Sequence, residues 1–144
     1  MNEEIEPRMV LHMIKPYIVR QVRPVLDREG MKPSYGPMLM AIERNPGCSL
    51  KEISDKACVD KAMVTRTVSA LMEDGFVEDR GTESRFYSLY ITGKGKVALK
   101  AVKEETDKAW ASLTGTLTEE ERACGARIMA KFWAVIASDM ERKR

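Results

Sequence analysis

The chain has 144 residues, 44% of them apolar and 32% charged, with a net charge of +2. These proportions predict a soluble globular chain of one domain, or a small domain whose extensions a partner covers. No apolar run approaches the roughly 18 residues needed to cross a bilayer, and the acidic stretch 1–6 lacks the basic-then-apolar order of a signal peptide.

Three scattered cysteines form neither a disulfide framework nor a C-x-x-C pair, which favours a reducing, cytoplasmic setting. Aromatics make up only 6% and methionines number 10, so the core is expected to be mainly aliphatic. The overall charge does not announce a nucleic-acid binder. Residues 49–100 hold nine Lys/Arg against eight Asp/Glu, so any DNA surface depends on where the cations sit.

Ile5, Met9, Met13 and Tyr17 step by four, and Val22, Val25 and Leu26 continue the stripe. That spacing predicts a long first helix over 5–28. Pro16 and Pro24 lie inside it, and interior prolines predict a bent or two-piece helix. Gly30 and Pro33 close the segment. Ser34 is an expected N-cap for a second helix carrying Tyr35, Met38, Leu39 and Ile42, which Asn45-Pro46-Gly47 stops.

Ser49-Leu50-Lys51-Glu52 forms a capping box, in which serine and glutamate each satisfy an orphan N–H, and it opens a short helix ending near Ala57. Asp60 starts the next helix and Gly75 ends it. Two short helices separated by a tight turn predict a helix-turn-helix. The period then changes. Residues 76–80 and 86–91 are β-prone, and Gly81-Thr82-Glu83-Ser84 between them is turn-like, so a hairpin wing is expected.

Thr92-Gly93 opens a fifth helix with Leu99, Val102, Thr106, Ala109 and Leu113 on one side. Thr118 and Glu121 form a second capping box before a sixth helix. That helix carries two apolar stripes, Cys124, Ile128, Phe132 and Val135 beside Met129, Trp133, Ile136 and Met140. A face so wide is more than one neighbour usually covers, which predicts an obligate homodimer.

Helical geometry over 60–73 puts Val64, Val68 and Leu71 on the core side and Ala62, Thr65, Arg66 and Ser69 opposite. A small, polar outer face with one cation suits a helix entering the major groove, about 12 Å wide. Thr65 and Ser69 have hydroxyls for phosphates or base edges, and Arg66 has a guanidinium for a phosphate or a guanine. The wing adds Arg80 as a supporting cation and Arg85 near its tip, where an arginine can enter the electronegative minor groove. Glu83, two residues earlier, is placed to orient Arg85. Without the wing that follows, the same helix face would read equally well as a solvated surface.

Residues 59–66 (Val-Asp-Lys-Ala-Met-Val-Thr-Arg), 71–77 (Leu-Met-Glu-Asp-Gly-Phe-Val) and 89–95 (Leu-Tyr-Ile-Thr-Gly-Lys-Gly) resemble the MarR family of bacterial and archaeal regulators, and the helix order follows that family over nearly the whole chain. The resemblance implies a fold that is mainly α with a small β-hairpin wing. It places a winged helix-turn-helix over 33–92 and a helical dimerisation region over 1–32 and 93–144. It also implies a repressor that binds a pseudo-palindromic double-stranded operator, with Lys61 on a backbone phosphate and Ala62 and Met63 on the DNA-facing turn. Glu83, Ser84 and Arg85 stand where the family's wing carries Asp-x-Arg, with Thr92 at the matching spacing. The sequence departs in having glutamate for aspartate, a wing tip about two residues shorter, and Met63 where a small hydroxyl residue is common.

Effectors in this family, often phenolic or aromatic acids, lodge between the dimerisation helices and the winged domain. By resemblance His12 and Tyr35 are candidates to line that crevice, although ordinary packing is the expectation for both. Some relatives sense oxidants through a cysteine near the chain start, whereas here no cysteine precedes Cys48. Cys48 and Cys58 have Lys51, Lys56 and Lys61 near them in sequence, but inert thiols are the expectation. A lone histidine supplies no multi-ligand metal site, and no cofactor is expected. Gly93-Lys94-Gly95 has the wrong spacing for a P-loop, and no catalytic triad or H-E-x-x-H stands out, so an enzyme is not expected. The competing interpretation is a winged helix that binds another protein. Salt-dependent affinity for duplex DNA would separate the two.

Overall fold

The computed structural model describes residues 5–57, 59–83 and 86–143. Six helices and one hairpin follow in the order α1 (Pro7–Glu29), α2 (Tyr35–Arg44), α3 (Leu50–Ala57), α4 (Lys61–Glu73), β1 (Val77–Asp79), β2 (Leu89–Ile91), α5 (Gly93–Thr114) and α6 (Glu119–Arg142). The chain divides into two compact units, Met1–Asp107 and Lys108–Arg144. Mainly α with a small wing is therefore the architecture, as the sequence predicts.

In the first unit, α1 is one unbroken helix with Pro16 and Pro24 inside it, where a two-piece helix was an expected alternative. Each proline deprives the carbonyl four residues earlier of its helical N–H. Those carbonyls belong to His12 and Arg20, both exposed, so water can take up the freed acceptors. Gly30 ends the helix in the left-handed conformation, φ 67°. Only the C-terminal half of α1 is buried, through Ile18, Val22, Val25 and Leu26. Met9, Val10, Leu11 and Met13 stay exposed.

Ser34 sits at the N-cap of α2, but its side chain makes no cap bond. Its backbone is already helical rather than extended, and Tyr35 N–H turns back to the Lys32 carbonyl at 3.0 Å instead. The capping box of α3 forms as expected: Ser49 N–H donates to Glu52 Oε2 at 2.8 Å, and Glu52 N–H to Ser49 Oγ at 3.2 Å. Helix α2 packs on α3, α4 and β2, and α4 packs on α3 and β1. Tyr35, Leu39, Ile42, Ile53, Val64, Leu71, Phe76 and Leu89 form the closed centre of this unit.

The strands are shorter than the β-prone runs. They pair antiparallel with Val77 opposite Ile91, Glu78 opposite Tyr90 and Asp79 opposite Leu89. On its other edge Leu89 bridges Cys48, with Leu89 N–H donating to the Cys48 carbonyl at 3.0 Å and Gly47 N–H to the Leu89 carbonyl at 2.8 Å. The turn between α2 and α3 thus extends the hairpin edge.

In the second unit, the capping box of α6 is complete, with Thr118 N–H donating to Glu121 Oε2 and Glu121 N–H to Thr118 Oγ1. No described residue of α6 is buried. Ile128, Met129, Phe132, Trp133, Val135 and Ile136 of the two apolar stripes are exposed, while Met140 is half-buried.

Candidate nucleic-acid interface

Helix α4 begins at Asp60, whose extended backbone lets its carboxylate accept Met63 N–H at 3.0 Å. Val64, Thr67, Val68 and Leu71 are buried at i, i+3, i+4 and i+7, which fixes the helix roll. The opposite face follows from that roll. Lys61, Ala62, Met63, Thr65, Arg66 and Ser69 are all exposed, so the structure gathers onto one surface the six helix residues singled out in the sequence.

Thr65 Oγ1 already donates to the Lys61 carbonyl at 2.8 Å. In that rotamer its oxygen can accept a hydrogen bond from a base amine but has no proton left for a phosphate. Arg66 lies one residue beyond it on the exposed face.

The C-terminal end of α4 is held from two directions. Asp74 follows the helix and accepts the Tyr35 hydroxyl on Oδ2 at 2.6 Å. Its backbone carbonyl takes Lys94 Nζ at 2.7 Å, and that ammonium also lies 4.7 Å above the Phe76 ring. The next carbonyl, of Gly75, takes Thr92 Oγ1 at 2.7 Å, while the same oxygen caps α5 by accepting Gly95 N–H at 3.1 Å. Gly75 itself turns with φ 79°, a conformation that side chains resist. None of Asp74, Thr92 or Lys94 was singled out as a positioning residue from sequence, because the contacts join residues far apart in the chain.

In the wing, Arg80 is not a free cation. Its Nε and Nη2 both donate to Glu78 Oε1, at 2.8 and 2.5 Å, and its guanidinium stacks 4.2 Å above the Tyr90 ring. Asp79 closes the neck of the hairpin, since its Oδ1 accepts both Gly81 N–H at 2.8 Å and Ser88 N–H at 2.9 Å. A side chain at Gly81 would meet the Phe86 carbonyl at 2.5 Å, so only glycine lets the two arms come so close. Glu83 is exposed and its carbonyl accepts Phe86 N–H at 3.2 Å. Ser84 and Arg85 lie outside the described residues, and so does the expected Glu83–Arg85 pairing.

The effector candidates stand apart in kind. His12 is exposed on α1, beside Leu11, Lys15, Pro16 and Val19 around a shallow recess. Tyr35 is fully buried, with its hydroxyl committed to Asp74 and its ring edge-on to Phe76 at 5.9 Å. It offers no surface to a ligand. Burial, then the Asp74 hydrogen bond, push its hydroxyl from 10.0 up to about 12. Burial, then Glu52, also push the Cys48 thiol up. Cys58 lies outside the described residues. Among the described residues no three His, Cys, Asp or Glu side chains gather as a metal site, and no helix is long and apolar enough to cross a membrane.

A sequence model of the MarR family matches residues 37–80, from within α2 to the end of the first wing strand. The chain is 40% identical over 67 residues to the HTH-type transcriptional regulator BilQ of Clostridioides difficile, a match covering 45% of this chain and 45% of that protein. The matched stretch therefore spans about half the length of that curated relative. Among solved structures, the crystal structure of MarR superposes with a TM-score of 0.75 at 25% identity, covering 100% of this chain and 99% of that one. The S. aureus MepR–DNA complex superposes with a TM-score of 0.81 at 16% identity, over 92% of this chain and 99% of that one.

Proposed function

We propose that the chain, whose residues 37–80 match the MarR family of transcriptional regulators, is a homodimeric repressor that binds a pseudo-palindromic duplex operator. The observation that carries this is the surface of α4: a helix locked into the core along one side presents Lys61, Ala62, Met63, Thr65, Arg66 and Ser69 to solvent on the other. In this proposal Lys61 contacts a backbone phosphate near the helix N-terminus, where the helix dipole adds to its charge. Arg66 pairs with a phosphate or bidentately with a guanine, and Thr65 accepts from a base amine. Ala62 and Ser69 let the backbone approach the bases. Met63 offers an apolar contact to a thymine methyl.

Arg85 is proposed for the minor groove on sequence grounds, with Glu83 beside it. Arg80 supports the wing through Tyr90 and reaches phosphate only after leaving Glu78. A second copy covers the apolar surface of α6. Release by a small aromatic effector remains part of the proposal through the family resemblance, with His12 and its recess on α1 as the residues to probe and Tyr35 left out as buried.

The test is selection of bound sequences from a random duplex library. Two related half-sites should emerge with centres about one helical turn apart. Arg66→Ala should either lower affinity for all selected duplexes and reduce the salt slope by about one per copy, or relax one base position at a cost of about 1–3 kcal/mol. An unenriched pool would overturn the proposal.

A further inference from the structure

Between residues 33 and 92, two large apolar side chains stand exposed among the described residues: Met63, 39% exposed, and Phe86, 67% exposed. A single exposed apolar residue says little. These two differ in their placement, because one lies on the outer face of α4 and the other on the wing, the two elements a winged helix offers to DNA. The remaining exposed apolar side chains fall on α1, α5, α6 and the segments beside them.

Phe86 is tied to the facing arm of the hairpin while its ring is not covered. Asp79 Oδ1 draws Gly81 and Ser88 together below it. Gly81 admits the Phe86 carbonyl at a distance no side chain would allow. Phe86 N–H is tied to the Glu83 carbonyl. The result is a narrow hairpin neck, formed by residues 79–81 and 86–88, that carries an uncovered aromatic ring.

We propose that Phe86 is a minor-groove wedge: on the operator its ring seats against a base step flanking each half-site, partly unstacks it and bends the duplex. The minor groove is about 6 Å wide and its walls are sugar, so a narrow hairpin with a flat apolar ring fits it better than a phosphate surface. Apolar side chains, phenylalanine among them, kink DNA from that groove by entering between bases.

The wedge has a sequence signature unlike that of a cation. An inserted arginine favours the stiff, narrow groove of A-tracts, whereas a wedge favours the easily unstacked TA and CA/TG steps. Flank preference therefore separates Phe86 from Arg85.

The proposal rests on the DNA-binding function above, and the experiment tells the two apart. The full chain, Phe86→Ala and Phe86→Trp are bound to a selected operator carrying 2-aminopurine at the flanking step and a donor–acceptor dye pair at its ends. Wild type should brighten the 2-aminopurine and shorten the end-to-end distance, and Phe86→Trp should do the same.

Phe86→Ala should do neither, should bind about tenfold more weakly on TA-flanked operators, and should keep the core half-site preference set by α4. Its thermal melt should match wild type, because the ring is exposed. Wild type that binds without unstacking or bending the flank overturns the wedge alone, as does Phe86→Ala that bends like wild type. Wild type that binds no duplex overturns the wedge and the DNA-binding function together.

Discussion

The hydroxyl of Tyr35 donates to the carboxylate of Asp74 at 2.6 Å across 39 positions of sequence, joining the first residue of α2 to the residue that ends α4. Lys94 and Thr92 hold the two adjoining carbonyls from the start of α5. The tilt of α4 is therefore referred to two other helices at its C-terminal end, while its N-terminal turn remains exposed for contact.

Tyr35→Phe keeps the ring against Phe76 and removes only the donor. Loss of a hydrogen bond to a carboxylate should cost about 1.5–3 kcal/mol of stability. The pH dependence has a defined sign. Tyr35 ionises at about 12 in the folded chain against an ordinary 10.0, so its contribution is complete below about pH 10 and is lost as pH rises towards 12. Urea midpoints of wild type and Tyr35→Phe should differ by a constant amount at neutral pH and converge between pH 10 and 12. A difference that stays constant across that window would show that the hydroxyl is not held as described.

What could be read from the sequence and what could not divide along the range of the interactions. Ser49 with Glu52, Asp60 with Met63, and Thr118 with Glu121 satisfy helix ends within three residues, so the residue types alone announce them. The buried face of α4 was legible for the same reason, since helical periodicity placed Val64, Val68 and Leu71 inward. Pro16 and Pro24 pointed to a bent or two-piece helix, and the two-piece alternative fails because the cost of a missing N–H depends on whether water reaches the freed carbonyl. Ser34 misled because a capping side chain works only from an extended backbone. The links Tyr35–Asp74, Lys94–Asp74, Arg80–Tyr90 and Cys48–Leu89 each need the folded chain to bring distant residues together. No local pattern encodes them. Arg80 is the clearest case: a wing arginine looked like a spare cation, yet in the structure it is already paired with Glu78.

That pairing carries a prediction about the charge balance of the wing. Glu78 occupies Arg80 as a phosphate would, and its own negative charge opposes the approach of DNA. The pair is half exposed, so it contributes at most about 1 kcal/mol to stability. Glu78→Gln should leave the melting temperature nearly unchanged, raise affinity for duplex DNA several-fold, and steepen the salt dependence by about one counterion per copy. Fluorescence anisotropy across a salt series checks both terms. Unchanged affinity with an unchanged slope would mean that Arg80 stays on Glu78 and Tyr90 when DNA binds.

Cys48 should resist alkylation in the folded chain. Cys48 is buried in the bridge to Leu89, and burial together with Glu52 holds its thiol above the ordinary range, so little thiolate forms near neutral pH. Iodoacetamide treatment followed by peptide mapping should leave Cys48 unlabelled in the native chain and label it only after denaturant is added. Rapid native labelling of Cys48 would reopen a redox role for that turn.

The last prediction concerns the second copy. Helix α6 runs for 24 residues without one buried described side chain, and Phe132, Trp133 and Ile136 are each at least half exposed. At roughly 25 cal/mol per Å² of apolar surface, leaving such a face in water forgoes several kcal/mol that association would recover. Isologous two-fold pairing is the common way to cover an identical face on each copy. Sedimentation equilibrium at micromolar concentration should give twice the chain mass. The double substitution Trp133→Glu and Ile136→Glu should shift it to monomer, because charges on a closing apolar face must be desolvated. The winged domain should remain folded, since its core lies in residues 35–91 and none of the substituted positions belongs to it. Operator affinity should nevertheless fall by two orders of magnitude or more, because linked binding to two half-sites becomes two separate events. A single half-site should be bound equally by both proteins. A wild-type chain that sediments as a monomer while still binding the full operator tightly would show that the α6 face serves something other than self-association.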